Sequence, residues 1–242
     1  MTAALHEDVP APLGPREGSP PFAADPTQPP ELVRAVRTAV TAWPEGTLPR
    51  LRGLVEQAPR SAFVRLNLGL ALFWARNDAA AAREWQTASR VEPDTPSAVR
   101  AQDLLHPRSP PGLPFFVPAG EVSPALRRGL TLQRAGRPVS AERAFASAAR
   151  AAPDDPEAQV AAAVARFRKD TPERGFGALG PLSRRFPREQ TVRFHLGLLS
   201  IWINDFRQAR RQLRLAVALN PDSRLAMEAS RLLDSLLKGG TS

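Results

Sequence analysis

One spacing constrains this chain more than any other feature. Starting from Gly69, the residues Leu72, Ala81, Trp85, Ala88 and Pro93 stand at offsets of 3, 12, 16, 19 and 24. From Gly129 the same offsets give Leu132, Ala141, Phe145, Ala148 and Pro153, and from Gly197 they give Ser200, Ala209, Leu213, Ala216 and Pro221. Gly129 and Gly197 are 68 residues apart, twice 34. At the midpoint, Ala163, the template falls on Arg166, Gly175, Leu179, Leu182 and Pro187; 34 residues before Gly69 it falls on Ala35, with Leu51, Leu54 and Pro59 following. Self-similarity at such a period means stacked supersecondary units, here about five. Small residues at Gly69, Gly129 and Gly197, and at Ala81, Ala141 and Ala209, let two helices cross closely. Trp85, Phe145 and Leu213 are expected to fill the space between neighbouring pairs, and each final proline ends its second helix.

The pattern resembles the tetratricopeptide repeat (TPR) family, whose 34-residue unit is two antiparallel helices. It departs from that family's W-x-x-L-G motif at Arg65, Ala125 and Arg193, and it has Ser200 where a large side chain is usual. The resemblance implies an all-α, right-handed α-solenoid of about five TPR-like helical hairpins, whose first helices line a concave face that binds peptides or partner helices. Local periodicity agrees with an all-α class: ELVRAVRTAVTAW carries Leu32, Val33, Val36, Ala39 and Val40 at helical spacing until Pro44 and Gly46 stop it. After Pro221, Leu225, Ala226, Ala229, Leu232, Leu233 and Leu236 predict a C-terminal capping helix, started by Asp222 or Ser223 and ended by Gly239.

Four segments follow. Residues 1–30, rich in Pro and Ala without periodicity, are expected to be a disordered tail. Residues 31–106 are N-terminal TPR-like repeats, 107–122 a Pro-rich apolar connector, and 123–238 C-terminal repeats with the cap. The connector arises because Gly69 and Gly129 are only 60 residues apart. One first helix survives as PSAVRAQDLL (96–105), and RSPPGLPFFVPAG follows where the second should stand. Phe115 and Phe116 are expected to dock onto the helices, either plugging the gap of the missing helix or lying in the groove against Trp74.

The chain has no cysteine, which excludes disulfides, thiolate metal sites and cysteine nucleophiles. Its start lacks the basic cap and apolar run of a signal peptide, and no segment holds 18 uncharged apolar residues, so a cytoplasmic protein with no membrane span is expected. Lys169 and Lys238 are the only lysines among 33 basic residues. The excess positive charge is concentrated between Arg166 and Arg214, which hold twelve basic and four acidic residues.

No catalytic constellation stands out, and no cofactor is implied. His6, His106 and His195 have no metal-ligand spacing, and His195 beside Phe194 reads as packing. Gly175, Gly177 and Gly180 spell G-x-G-x-x-G but follow no strand and fall where the repeat template expects a second helix. Two surfaces remain. One is a groove lined by Phe63, Leu70, Phe73, Trp74, Gln133, Arg134, Phe167, Arg168, Phe194, Ile201 and Trp202, with Trp74, Phe167 and Trp202 as exposed aromatics that mark a binding site. The other is a basic ridge of Arg184, Arg185, Arg188, Arg207, Arg210, Arg211 and Arg214. The groove points to a non-catalytic adaptor that binds a protein partner's peptide or helix. The ridge points to a nucleic-acid-binding or regulatory factor.

Overall fold

The computed structural model describes residues 18–238, which form helices joined by turns and loops, with no strand among the described residues. In chain order these are α1 (Pro30–Val40), α2 (Thr47–Gln57), α3 (Ala62–Trp74), α4 (Asp78–Val91), α5 (Pro96–Leu105), α6 (Pro124–Arg134) and α7 (Pro138–Ala151). There follow α8 (Pro156–Val164), α9 (Glu173–Leu179), the single turn α10 (Leu182–Arg185), α11 (Gln190–Trp202), α12 (Phe206–Leu219) and α13 (Arg224–Lys238). Starts are written plainly in the sequence. Ser61, Asn77, Thr95, Ser123, Asp155 and Asp205 each accept a hydrogen bond from a first-turn backbone N–H, and Pro96, Pro124, Pro138 and Pro156 occupy first helical positions. Ser223 takes that role for α13, its Oγ accepting from the Ala226 N–H at 3.0 Å. Gly239, the expected stop, lies outside the described residues.

Packing follows chain order. α1 lies on α2, α3 on α4, α6 on α7, α8 on α9 and α11 on α12; α2 then meets α3, α4 meets α5, α7 meets α8 and α12 meets α13. First helices also touch one another: α1 with α3, α3 with α5, α8 with α11, and α11 with α13.

Three hairpins share their geometry residue for residue. A Cβ added at Gly69 would lie 2.3 Å from Nε1 of Trp85, at Gly129 2.3 Å from Cε1 of Phe145, and at Gly197 2.7 Å from Cγ of Leu213. No side chain fits there, so the helix axes approach until the large residue of the second helix rests on the backbone of the first. Trp85, Phe145 and Leu213 therefore lie across the crossing within their own pair, rather than mainly between pairs as the spacing alone suggests. The turns match as well. Arg76, Gly136 and Asn204, each seven residues past the crossing glycine, adopt positive φ of 64°, 67° and 59°. The next N–H of each turn, on Asn77, Arg137 and Asp205, returns to the carbonyl of Leu72, Leu132 and Ser200.

The apolar interior forms one cluster over α1 to α5 and another over α6 to α11, with a third joining α11, α12 and α13. Side chains tie the first two together. Asp94, between α4 and α5, accepts from the backbone N–H of Ser140 at 2.9 Å and from Arg137 at 3.2 Å. Asp103 of α5 pairs with Lys169 at 2.6 Å.

The expected disordered tail needs correction over its second part. Residues 18–29 lie against α1, α3 and α5, while residues 1–17 are outside the described residues. Phe22 meets Phe63 edge to face at 6.1 Å, with the Arg37 guanidinium 5.0 Å over its ring. Asp25 is buried, and its carboxylate accepts from Ser97 Oγ at 2.6 Å. A few well-placed anchors outweigh the entropy of ordering this segment, even though its average composition is that of a tail.

Candidate functional site

The face formed by the first helices is not open. Two extended segments of the chain itself lie across it, and a carboxamide side chain from α3 or α6 grips the backbone of each. On α3, Asn67 Oδ1 accepts from the Ala23 N–H at 2.9 Å and its Nδ2 donates to the Ala23 carbonyl at 3.1 Å. On α6, Gln133 Oε1 accepts from the Phe116 N–H at 3.0 Å and its Nε2 donates to the Phe116 carbonyl at 3.2 Å. A carboxamide presents an acceptor and a donor side by side, which is the pattern one residue of an extended backbone offers in return.

The connector is held along its whole length. Asp103 accepts from the Gly112 N–H at 2.8 Å, and Lys169 Nζ donates to Asp103 and to the Pro110 carbonyl, each at 2.6 Å. The Lys169 side chain is fully buried and lies 5.4 Å over the Trp202 ring. Taking this charge from water is tolerable only because a carboxylate, a carbonyl and a ring face surround it. Further along, His195 Nε2 accepts from the Val117 N–H at 3.0 Å, and Glu157 Oε1 accepts from the Ala119 N–H at 2.6 Å. Burial pushes the Glu157 carboxyl up from its ordinary value, and the Ala119 N–H offsets part of that.

His195 is the residue whose role sequence reasoning missed. Its Nδ1 lies 2.7 Å from the Thr191 carbonyl, so Nδ1 carries the proton and Nε2 is left as the acceptor for the connector. Burial lowers its pKa to about 4, against the weaker upward pull of the Thr191 carbonyl, and the ring is neutral at pH 7. Its position was informative: His195 and Asn67 each stand two residues before a crossing glycine, so both project from the same place in the template.

The two connector phenylalanines part company. Phe116 is buried, stacks on His195 at 5.1 Å and meets Phe145 edge to face at 5.8 Å. Phe115 is 48% exposed, which corrects the expectation that both dock. Extended backbone sends successive side chains to opposite sides, so only one of two neighbours can point inward. Nor does Phe116 lie against Trp74, whose indole N–H donates instead to the Gly18 carbonyl at 2.9 Å.

The other expected groove residues are spread between core and site. Phe63, Leu70, Phe167, Phe194 and Trp202 are buried, while Phe73, Trp74 and Ile201 are half-buried. Of the three aromatics expected to stand exposed, Phe167 and Trp202 are buried and pack edge to face at 6.0 Å, and Trp74 is half-buried. Arg168 turns back to the carbonyls of Ala165 and Phe167 at the end of α8 and pairs with Glu142 at 2.6 Å. Gln133, Arg134, Phe167, Phe194 and Trp202 do converge. With Val99, Leu113, Phe115, Val164, Leu198 and Leu232 they line an apolar cavity of about 480 Å³ between the connector and α8, α11 and α13.

The arginines come from separate elements. Arg184 and Arg185 are on α10 and Arg188 follows it; Arg207, Arg210, Arg211 and Arg214 are on α12. All are exposed except the half-buried Arg210, and Arg185 pairs with Asp154 at 2.7 Å. The G-x-G-x-x-G glycines lie on or just after α9, and Gly175 packs onto Phe167, where an added Cβ would lie 3.1 Å from the Phe167 Cβ. Among the described residues no cluster of His, Asp and Glu could hold a metal ion, and no helix is long and apolar enough to cross a membrane. No protein-family model matches the chain, and no curated protein is significantly similar to it.

Proposed function

We propose that the chain is a non-catalytic adaptor, a right-handed α-solenoid of TPR-like hairpins capped by α13, that binds an extended apolar segment of a partner protein along its first-helix face. The observation that carries this reading is that the face already holds extended backbone twice, with carboxamide clamps at Asn67 and Gln133. The bonds made there go to main-chain groups, so they suit any extended segment, while selectivity is left to the pockets beside them. The repeat reading is supported by the shared glycine crossings and the shared left-handed turns at Arg76, Gly136 and Asn204. The apolar cavity beside Phe115 and Trp202 is where a partner's side chains enter; at about 480 Å³ it falls within the usual range of ligand pockets.

Selection of a random peptide library on the immobilised protein tests this. Enriched peptides are expected to be apolar, and to lose binding to a Leu198→Trp variant that fills the cavity while keeping the wild-type helix content. Absence of enrichment, or equal binding to the filled variant, removes the groove as the site.

A further inference from the structure

We propose that the outer face of α12 is a second docking surface, and that its partner is a protein helix carrying carboxylates beside a leucine-rich seam. Gln208, Gln212, Leu215 and Leu219 follow one another at intervals of four, three and four, the spacing at which one helix presents a seam to another. Leu215 and Leu219 are 41% and 40% exposed, so the apolar end of that seam faces solvent. Arg211 flanks the seam one helical column away, with Arg207 and Arg214 in the next column.

Two observations distinguish this face from a merely solvated one. The first is charge. Arg207, Arg210, Arg211 and Arg214 make no ion pair among the described residues, in a region where basic residues outnumber acidic ones three to one. The second is the adjacency of the leucines to the arginines. Phosphate pairing would use the arginines and leave Leu215 and Leu219 uncovered, whereas a helix with acidic flanks and an apolar seam covers both together.

The test uses the full chain and two synthetic helices, both with Leu at every a and d position, one with Glu and the other with Lys at every e and g. Repulsion between like flanks keeps each probe from pairing with itself. The Glu helix is expected to bind and the Lys helix not to. Arg211→Glu with Arg214→Glu should weaken the Glu helix at least about tenfold and transfer binding to the Lys helix. Leu215→Ser with Leu219→Ser should weaken the Glu helix without reversing the preference. All four side chains are exposed, so these variants keep the fold, which circular dichroism checks. Leu198→Trp, which fills the cavity on the other face, should leave the Glu helix bound, so this proposal and the groove reading fail separately. No binding of the Glu helix at low salt overturns the assignment. So does tighter binding of single-stranded RNA or duplex DNA that is indifferent to the leucine substitutions, which would make the face a nucleic-acid surface.

Discussion

Gln133 Oε1 and Nε2 take both main-chain groups of Phe116, at 3.0 and 3.2 Å, and so fix the middle of a connector that has no regular structure of its own. Replacing Gln133 by Ala leaves a partly buried N–H and C=O without partners. A loss of about 2 kcal/mol is expected. Urea denaturation measures it, and faster hydrogen exchange at the Phe116 and Val117 amides locates it. Asn67→Ala should act alike on the Ala23 amide and leave the connector amides unchanged.

Adjacent phenylalanines should respond very differently. Phe116→Ala empties a fully packed socket between Phe145 and His195 and should lower stability by about 3 kcal/mol. Phe115→Ser changes a side chain that is 48% exposed and should stay within about 0.5 kcal/mol in the same denaturation experiment.

At the crossings, helix propensity and packing oppose each other. Ala in place of Gly129 gains about 1 kcal/mol of helix propensity. Its Cβ, however, would lie 2.3 Å from Phe145, where something must shift. Overpacking of that kind outweighs the gain, and a net loss of about 2 kcal/mol is expected. Combining Gly129→Ala with Phe145→Leu should recover part of it, because the shorter side chain removes the ring atoms that the Cβ would meet. Thermal melts of the single and double variants check this.

His195 makes stability fall in acid. Its pKa is lowered to about 4 in the folded chain by burial, against 6.5 unperturbed. Below 6.5 the unfolded chain takes up a proton that the folded chain refuses, so the contribution of this residue is complete above pH 6.5 and is lost as pH falls toward 4. The difference amounts to about 3 kcal/mol at most. Denaturation midpoints at pH 7 and pH 4.5 should therefore differ more in wild type than in a His195→Gln variant. Protonation also removes the acceptor for the Val117 N–H, so the protection of the connector amides, relative to their intrinsic exchange rates, should fall at the lower pH in wild type only.

Helix-level organisation was legible because its signals are local. PSAVRAQDLL spans the bounds that α5 has, and the recurrent glycines 69, 129 and 197, placed by the resemblance to a two-helix unit, lie at crossings. What escaped is what irregular segments do. Residues 18–29 pack through Phe22, Asp25 and the Ala23 backbone, and the Ser97 partner of Asp25 lies 72 residues on; single long-range anchors leave no periodic trace. Trp202 and Phe167 were expected to stand open because the helix pattern placed them on the groove side. In the structure they cover each other, and Lys169 lies over the Trp202 ring. A sequence with two phenylalanines in a row likewise cannot say which one turns inward.

The prolines of the connector answer a problem that those two phenylalanines create. A segment with like neighbours at its anchor could slide by one position and seat Phe115 where Phe116 belongs. Sliding that way would bring Pro111 opposite Asp103 and Pro118 opposite Glu157, where Gly112 and Ala119 now supply N–H groups. Sliding the other way would put Pro118 opposite His195 in place of Val117, and would force Leu113 into the positive φ of 82° that Gly112 adopts. Prolines placed next to the gripped amides act as a ratchet pawl in both directions, so a clamp blind to side-chain identity still settles on one alignment.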